Sequence, residues 1–560
     1  DGLAAPPTDA KTLARAFYPA SALFLQRVDL DEVDLSERDA AAVATTCRLL
    51  HGLPLGIELA AAWMPMLSPH EILTEIERGL DFLQSDMPDL PERHRSLRAV
   101  FERTWQQLGQ EEQTTLARLA FFRGGFSRQA AQATADASLP TLRKLYDKSL
   151  IRFVAEHNEE AAPDGRYEIV EVLRQYAAER MDDPDAVCAV QARHVRYFID
   201  FLAGLRTELR SGDQPAALDA VIREIDNIRA AIAWLCLAED VQTLLDDAPF
   251  RAGALALFDF LDTRGWYGEG ESLFAQLALL IETQVPNDAA LATALRARQA
   301  WFVWHLGRAE EAQALLEACV ADLWRMEAAS DALFALNYLG AVRFHQGRFE
   351  AAQQALSEAA TLAAAGRDDF GASVALNILG QLALEQGNSE TALARSERAL
   401  ALKRTLNDQR GMTYALTTLG RVAIQEARHD DARRLFGESL QICESLDDLR
   451  GVGLALRNLG DVAADLEEYA TAQRMYNRSI EALRETGSQR EISASLSRLA
   501  QAAASQSRPE AALPALQEAL TVALEIASPP AMIDALLTAA TVVNDAPVVL
   551  DSDKSEEHTS

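Results

Sequence analysis

The chain has 560 residues, 49% of them hydrophobic and 7% aromatic, with 84 acidic against 53 basic side chains and a net charge of −31. At about 150 residues per domain this length predicts three or four domains, and a core richer in Ala and Leu than in aromatics points to helices. The charge disfavours direct binding of nucleic acid, because phosphate contacts need Lys and Arg gathered on one surface.

No run of about 18 apolar residues is present, so a membrane span is not expected. The opening segment, DGLAAPPTDAKTLARAF, has neither the basic nor the apolar region of a secretory signal. Cys47, Cys188, Cys236, Cys319 and Cys443 are scattered, with no Cys-x-x-Cys pair. That predicts reduced thiols in a cytoplasmic protein, with neither a zinc site nor a disulfide framework.

Residues 1–25 read as a linker from a preceding module, and 26–96 as a helical domain. Within it, HGLPLGIELAAAW at 51–63 sets a Gly-Leu-Pro-Leu turn directly against an Ala-rich apolar helix. Arg93, His94, Arg95 and Arg98 form a basic cluster, either a solvated helix start or a contact for phosphate or a neighbouring domain. The rhythm changes across 97–182. SLRAVFERTWQQL and EEQTTLARLAFF carry apolar residues at the three-and-four spacing of amphipathic helices. Ser127 is placed to cap the helix RQAAQATA, and LPTLRKLYDKSL gives a third. IRFVAE and RYEIVE then read as two strands around the polar loop HNEEAAPDG. Helices followed by a hairpin predict a winged helix. Residues 190–290 read as helical, with degenerate repeats.

From 291 to 541 the chain repeats itself. NYLG, NILG, TTLG and RNLG end at Gly340, Gly380, Gly420 and Gly460, 40 residues apart, and SRLA continues the series to Ala500. Leu336, Leu376, Leu416, Leu456, Leu496 and Leu536 form a second column; Ala312, Ala352, Ala392, Ala432, Ala472 and Ala512 form a third. The Gly of one helix and the Ala twelve residues on are read as the close approach of two antiparallel helices, with the Leu column filling between pairs. Gly307, Gly347 and Gly387 fall where a helix needs a left-handed C-cap. The strings GRDDFG, LNDQRG and LDDLRG are read as the loops between pairs.

This pattern resembles the tetratricopeptide (TPR) repeat, whose usual period is about 34 residues; the longer period here predicts longer helices or longer turns. TPR arrays stack into a superhelix with an extended concave binding face. Trp301, Asn337, Asn377, Gln381, Thr417, Arg421, Arg457 and Asp461 are assigned to that face, as exposed positions binding a protein or peptide, the alternative for the polar ones being a simply solvated groove. The aromatics Trp301, Trp304 and Phe344 either line it or pack between helices. Residues 542–560 are expected to form a disordered acidic, polar tail.

The order GLPLGIELAAA, SLRAVFERTWQQL, LARLAFFRGGF, YDKSLI and YEIVEVLRQYAAER, followed by the repeats, resembles the STAND family, the signal-transduction ATPases with numerous domains. The NB-ARC-like bacterial members with TPR sensors are the most similar, and the resemblance covers about 20–182 and then the array. It implies a mainly α fold: a helical domain and a winged helix followed by a TPR α-solenoid superhelix. It implies that a nucleotide module precedes the chain, and that Pro54 packs near the adenine of bound ADP. In the family the winged helix closes over the nucleotide through a Met-His-Asp-like motif. Val170 and Glu171 stand at its His and Asp positions, a departure that removes the histidine–phosphate latch.

A Walker A loop needs Gly-Lys-Ser/Thr to cradle phosphates. The five lysines are Lys11, Lys144, Lys148, Lys403 and Lys554, and none follows a glycine. The chain alone is therefore not expected to be an enzyme, and no catalytic or metal-binding residue is assigned. HEIL at His70 lacks the second His of a metalloprotease helix, GEGES at Gly268 follows no strand, and no G-x-S-x-G elbow occurs. The resemblance implies ADP or ATP with Mg for the longer protein only. The expected function is the sensing and autoinhibitory half of such an ATPase. A trigger in the TPR groove would release nucleotide exchange and homo-oligomerisation and so switch on an upstream effector in signalling, transcription or defence and cell death. The alternative is a freestanding TPR scaffold or adaptor.

Overall fold

A computed structural model describes residues 18–28, 36–64, 66–79, 82–83, 97–154, 165–239, 241–245, 248–506, 509–526 and 529–544. Arg93, His94 and Arg95 of the basic cluster, most of the hairpin loop, the first 17 residues and the tail from 545 lie outside them. The chain divides into two compact units, Asp1–Phe198 with Arg223–Ala238 and Ile199–Ile222 with Glu239–Ser560. The segment 190–290 contributes to both.

The first unit holds α1 (Pro19–Val28), α2 (Glu37–Leu49), α3 (Pro54–Ala61), α4 (Pro69–Arg78), α5 (Leu97–Gln106), α6 (Gln110–Leu119), α7 (Arg128–Ala135) and α8 (Leu139–Asp147). A hairpin of β1 (Arg152–Val154) and β2 (Arg166–Glu168) follows, then α9 (Glu171–Ala178). Two longer helices, α10 (Pro184–Gly204) and α11 (Gln214–Leu237), contribute part of their length. Local chemistry fixes the helix starts. Ser36, Ser68, Ser127 and Ser138 each accept a backbone N–H of the first turn, leaving fewer orphan donors. In the hairpin Phe153 lies opposite Tyr167, and the backbones of Phe126 and Tyr167 exchange two hydrogen bonds of 2.9 Å.

The second unit opens with a 3-10 turn at Glu208–Arg210, then α12 (Gln242–Leu245), α13 (Ala248–Arg264) and α14 (Tyr267–Gln284). The array proper is α15 (Ala289–His305), α16 (Ala309–Arg325), α17 (Ala329–His345), α18 (Phe349–Gly366), α19 (Asp369–Glu385), α20 (Ser389–Thr405) and α21 (Gln409–Gln425). It continues with α22 (His429–Ser445), α23 (Leu449–Asp465), α24 (Tyr469–Glu485), α25 (Gln489–Ala504), α26 (Pro509–Glu525) and α27 (Pro529–Asn544). Most of these helices are 17 residues long and begin 20 residues apart, so the 40-residue period is two helices and two short turns. The extra length over a 34-residue repeat therefore sits in the helices.

Between 307 and 487 both turns of each repeat pass through the left-handed region. Gly307, Gly347 and Gly387 do so as expected, but Ala427 and Glu467 hold the same place at φ 56° and 61°. The other turn has Glu327, Arg367, Asn407, Asp447 and Gly487 in that conformation. The segments read as loops are short because Asp368, Asp408 and Asp448 cap the next helix, each accepting the N–H of Gly371, Gly411 or Gly451. Helix contact within a pair also differs from expectation. A Cβ on Gly340, Gly380, Gly420 or Gly460 would lie about 2.5 Å from the side chain sixteen residues on, Leu356, Ser396, Phe436 or Tyr476. The glycine is thus a socket for that side chain, and the fully buried Ala column lets the neighbouring turn approach. The Leu column is buried at Leu336, Leu416, Leu456 and Leu496, whereas Leu536 on α27 is 58% exposed because no further pair follows it among the described residues.

Candidate functional site

The interior of the second unit is lined by the first helices of successive pairs. The array curves enough that α13 meets α21, whose residues lie 148 positions later: Arg410 pairs with the Asp262 carboxylate and donates to its backbone carbonyl at 3.0 Å. The Trp301 indole donates to the other carboxylate oxygen of Asp262 at 2.8 Å. Arg264 pairs with Asp447, and the Arg490 guanidinium sits 4.3 Å above the Trp304 ring. The concave face is therefore not the open groove expected from the repeat pattern; the unit's own side chains bridge much of it.

One of the hollows that remain, a cavity of about 180 Å³, is walled by aromatic rings, among them Trp301, Trp304, Tyr338, Phe370 and Tyr414, and adjoins a second of about 380 Å³ that shares Arg210, Tyr338 and Phe370. Trp301 stacks on Trp304 at 4.7 Å and meets Tyr338 at 4.2 Å. Each cation on the wall has its own carboxylate. Arg210 makes a bidentate pair with Asp259 at 2.6 and 2.9 Å, and Lys403 reaches Asp408 at 2.6 Å. Those two cations face the Phe370 ring at 4.3 and 4.0 Å. Arg410 has Asp262 and Asp448, and Arg450 has Glu491 at 2.8 Å. Burial opposes the charges of Arg410 and Arg450, but the facing carboxylates outweigh it and raise both pKa values. For Lys403 burial prevails over Asp408 and lowers the pKa. Burial, assisted by Arg490, carries His345 down to about 3, so its ring is neutral at pH 7.

The eight residues assigned to the groove do not form one site. Trp301, Asn377 and Gln381 border the cavity. Asn337 is only 3% exposed and donates its amide to the Gly371 carbonyl at 3.1 Å, so its register position ties one pair to the next. Asn377 is also buried, at 8% exposure, and accepts from Thr418 at 3.4 Å. The expectation that these two asparagines stand exposed is thus corrected: the helices are packed too closely at that register. Arg421 and Asp461 border a separate hollow of about 450 Å³, with Arg421 paired to Glu385 and Asp461 accepting from the Tyr476 hydroxyl at 2.8 Å. Arg457 and Thr417 are half-buried, and burial lowers the Arg457 pKa. Phe344 packs with Ala352 and Leu356 between helices, whereas Trp304 belongs both to a core cluster and to the cavity wall. The sequence reading passed over Arg410 and Arg450. Their signal is an Arg column at 410, 450 and 490, but its first two members lie in LNDQRG and LDDLRG, the strings read as loops.

In the first unit, His51 and Gly52 adopt left-handed backbone and turn the chain so that Pro54 begins α3. Pro54 is exposed. A hollow of about 320 Å³ nearby is lined by Thr45, His51, Gly124, Gly125, Glu171 and Arg174. Val170 is the N-cap residue of α9, and Glu171 makes two 2.7 Å hydrogen bonds with Arg174. Burial raises the Glu171 pKa against the pull of Arg123. Burial, and then Arg152, lowers His51 to about 4. Among the described residues no group of three His, Cys, Asp or Glu side chains is arranged to hold a metal, and no helix is long and apolar enough to cross a membrane.

The chain is 33% identical over 275 residues to a Mycobacterium tuberculosis protein provisionally named an HTH-type transcriptional regulator. That match takes in 47% of this chain and 29% of the relative, so the chain spans under a third of the relative's length. Among solved structures, a STAND protein with a tetratricopeptide repeat sensor from Pyrococcus horikoshii is similar with a TM-score of 0.45 at 14% identity, over 94% of this chain and 70% of that one. A Rap protein complexed with competence and sporulation factor is similar with a TM-score of 0.43 at 13% identity, over 53% and 88%. Residues 331–405, 412–485 and 451–525 match the tetratricopeptide repeat family. With the helical pairs and their 40-residue register, that match makes this part of the chain a tetratricopeptide-repeat solenoid.

Proposed function

We propose that the chain is the sensor and autoinhibitory half of a STAND ATPase, with its repeat array holding the receptor site for the trigger. The observation that carries this reading is the array's interior. Periodic first helices line an aromatic cavity, and self-contacts such as Asp262–Arg410 and Arg264–Asp447 bridge the array beside it. A ligand that alters those contacts has a direct route to altering the curvature of the array. The helical region with Pro54 and the region at 97–182, read as a winged helix, would pass this change to a nucleotide module supplied by the longer protein.

The first unit fits only part of a nucleotide. Pro54 offers an exposed apolar edge, suited to the adenine side. Around the neighbouring hollow, Arg174 is occupied by Glu171 and by the Ala120 carbonyl, and the chain has no Gly-Lys step to cradle phosphates. ADP or ATP with Mg is accordingly assigned to the longer protein, and no catalytic step is assigned to these residues. The output is proposed to be signalling, with transcription the first to examine because the mycobacterial relative carries that name. Oligomerisation is assigned to the activated longer protein.

The test joins the chain to its preceding module and compares the parent with Arg410→Ala. Release of a fluorescent ADP analogue and light scattering are followed. Faster release and larger assemblies are expected once the array is loosened. A longer protein that binds no nucleotide, or whose release is unchanged while the array has measurably opened, removes this reading and leaves the scaffold alternative.

A further inference from the structure

We propose that the cavity inside the repeat array binds a small, uncharged, single-ring aromatic compound carrying a hydrogen-bonding substituent, and does not take a peptide segment. The role as trigger rests on the sensor reading above, but the binding stands on the cavity itself.

Size comes first. A cavity of about 180 Å³ is comparable to the roughly 150 Å³ apolar cavity that accepts benzene. It is smaller than the 300–1,000 Å³ or so of pockets for larger ligands, a size matched to one ring rather than to an extended peptide. The walls come second. Trp301, Trp304, Tyr338 and Tyr414 line the space, and a well-oriented aromatic pair gains about 0.5–1.5 kcal/mol beyond burial.

Charge decides between neutral and ionic ligands. Arg210, Lys403, Arg410 and Arg450 are each matched to a carboxylate, and Arg210 and Lys403 also sit against Phe370. An anion would have to compete with carboxylates already in place, and a cation with the guanidinium groups; either would also lose its own hydration. Neutral polarity, in contrast, is in supply. Asn377 is more than nine-tenths buried, borders the cavity and makes one long contact with Thr418, leaving its other amide capacity without a partner among the described residues. The Tyr338 and Tyr414 hydroxyls, the Gln381 amide and the neutral His345 ring border the same space. A ring substituent that both donates and accepts matches these groups, and a net hydrogen bond contributes about 0.5–1.5 kcal/mol.

The experiment titrates the 560-residue chain by calorimetry with 4-hydroxybenzamide and phenol as neutral probes, 4-hydroxybenzoate as the charged counterpart of the first, and a mixed pool of pentapeptides. Saturable binding of a neutral probe is expected, at least tenfold weaker for 4-hydroxybenzoate and absent for the peptides. Ala341 also borders the cavity, and Ala341→Leu should abolish binding by filling it. Asn377→Ala should weaken the amide probe at least fivefold while leaving phenol within twofold. Absence of saturable binding by both neutral probes overturns the proposal. So does undiminished binding in Ala341→Leu, or equal binding of 4-hydroxybenzoate. If 4-hydroxybenzamide binds as expected but leaves nucleotide release from the longer protein unchanged, the site stands and the sensor reading fails.

Discussion

Replacing Gly420 by Ala isolates the packing rule that sets the repeat. The added Cβ would lie 2.4 Å from one edge carbon of Phe436 and 2.6 Å from its tip, where ordinary contact begins near 3.4 Å. The ring would have to retreat by about 1 Å, yet Phe436 has no exposed surface and is held by Ala423, Ala432 and Val462. Overpacking of this kind costs about 1–3 kcal/mol. Alanine's helical advantage over glycine returns about 1 kcal/mol, so the net expected loss is about 0–2 kcal/mol, toward the upper end because the ring that must retreat is fully buried. Gly437, in the interior of α22 and next to Phe436 in sequence, is the control. Its Cβ would meet nothing within 4 Å, so Gly437→Ala should gain about 0.5–1 kcal/mol. Repeat arrays unfold locally as well as globally. The readout is therefore hydrogen exchange of α21 and α22 alongside urea unfolding followed by circular dichroism. If Gly420→Ala proves as stable as the parent, or if the two variants shift together, the socket reading is wrong.

The buried pair of Lys403 and Asp408 gives a second prediction: Lys403→Met strands a carboxylate and should cost about 3–5 kcal/mol, and adding Asp408→Asn, which keeps an oxygen for the Gly411 cap, should recover most of it in a double-mutant cycle. In the first unit Asn227 has no exposed surface; it accepts from the Arg123 N–H at 2.6 Å and donates to the Gly125 carbonyl at 2.9 Å and to Glu224 at 2.8 Å. Asn227→Leu should therefore cost at least about 2–3 kcal/mol in thermal or urea unfolding, and a loss below 0.5 kcal/mol would show that the turn at 123–126 is not pinned there. His194 is held down to about 4 by burial, and then by Arg123, against the help of Asn227. Its unfolded value is about 6.5, so the unfolded chain takes up the proton first. The neutral ring's stabilisation of about 3 kcal/mol is present above pH 6.5 and is lost as pH falls from about 6.5 to about 4. A His194 ring that titrates near 6.5 by NMR would refute this.

The sequence by itself determined the elements and their period. Gly340, Gly380, Gly420 and Gly460 at constant spacing, the Ala column beside them and the Asp caps at 368, 408 and 448 are local rules. They act within one helix or between immediate neighbours, so each leaves its mark at fixed offsets along the chain. The same holds for Ser127 before α7 and for the strand residues on either side of the hairpin loop. Tertiary structure decided which face of those helices meets what. Asn337 was legible as a polar residue on a first helix, but its turn toward the Gly371 carbonyl depends on how one pair rotates on the next. Arg410 looked like part of a loop; only the curvature of the array brings Asp262, 148 residues earlier, against it. Small rotations per repeat accumulate over many helices, and no local residue pattern records their sum. That sum narrows the expected groove to a partly open aromatic cavity whose cations face carboxylates.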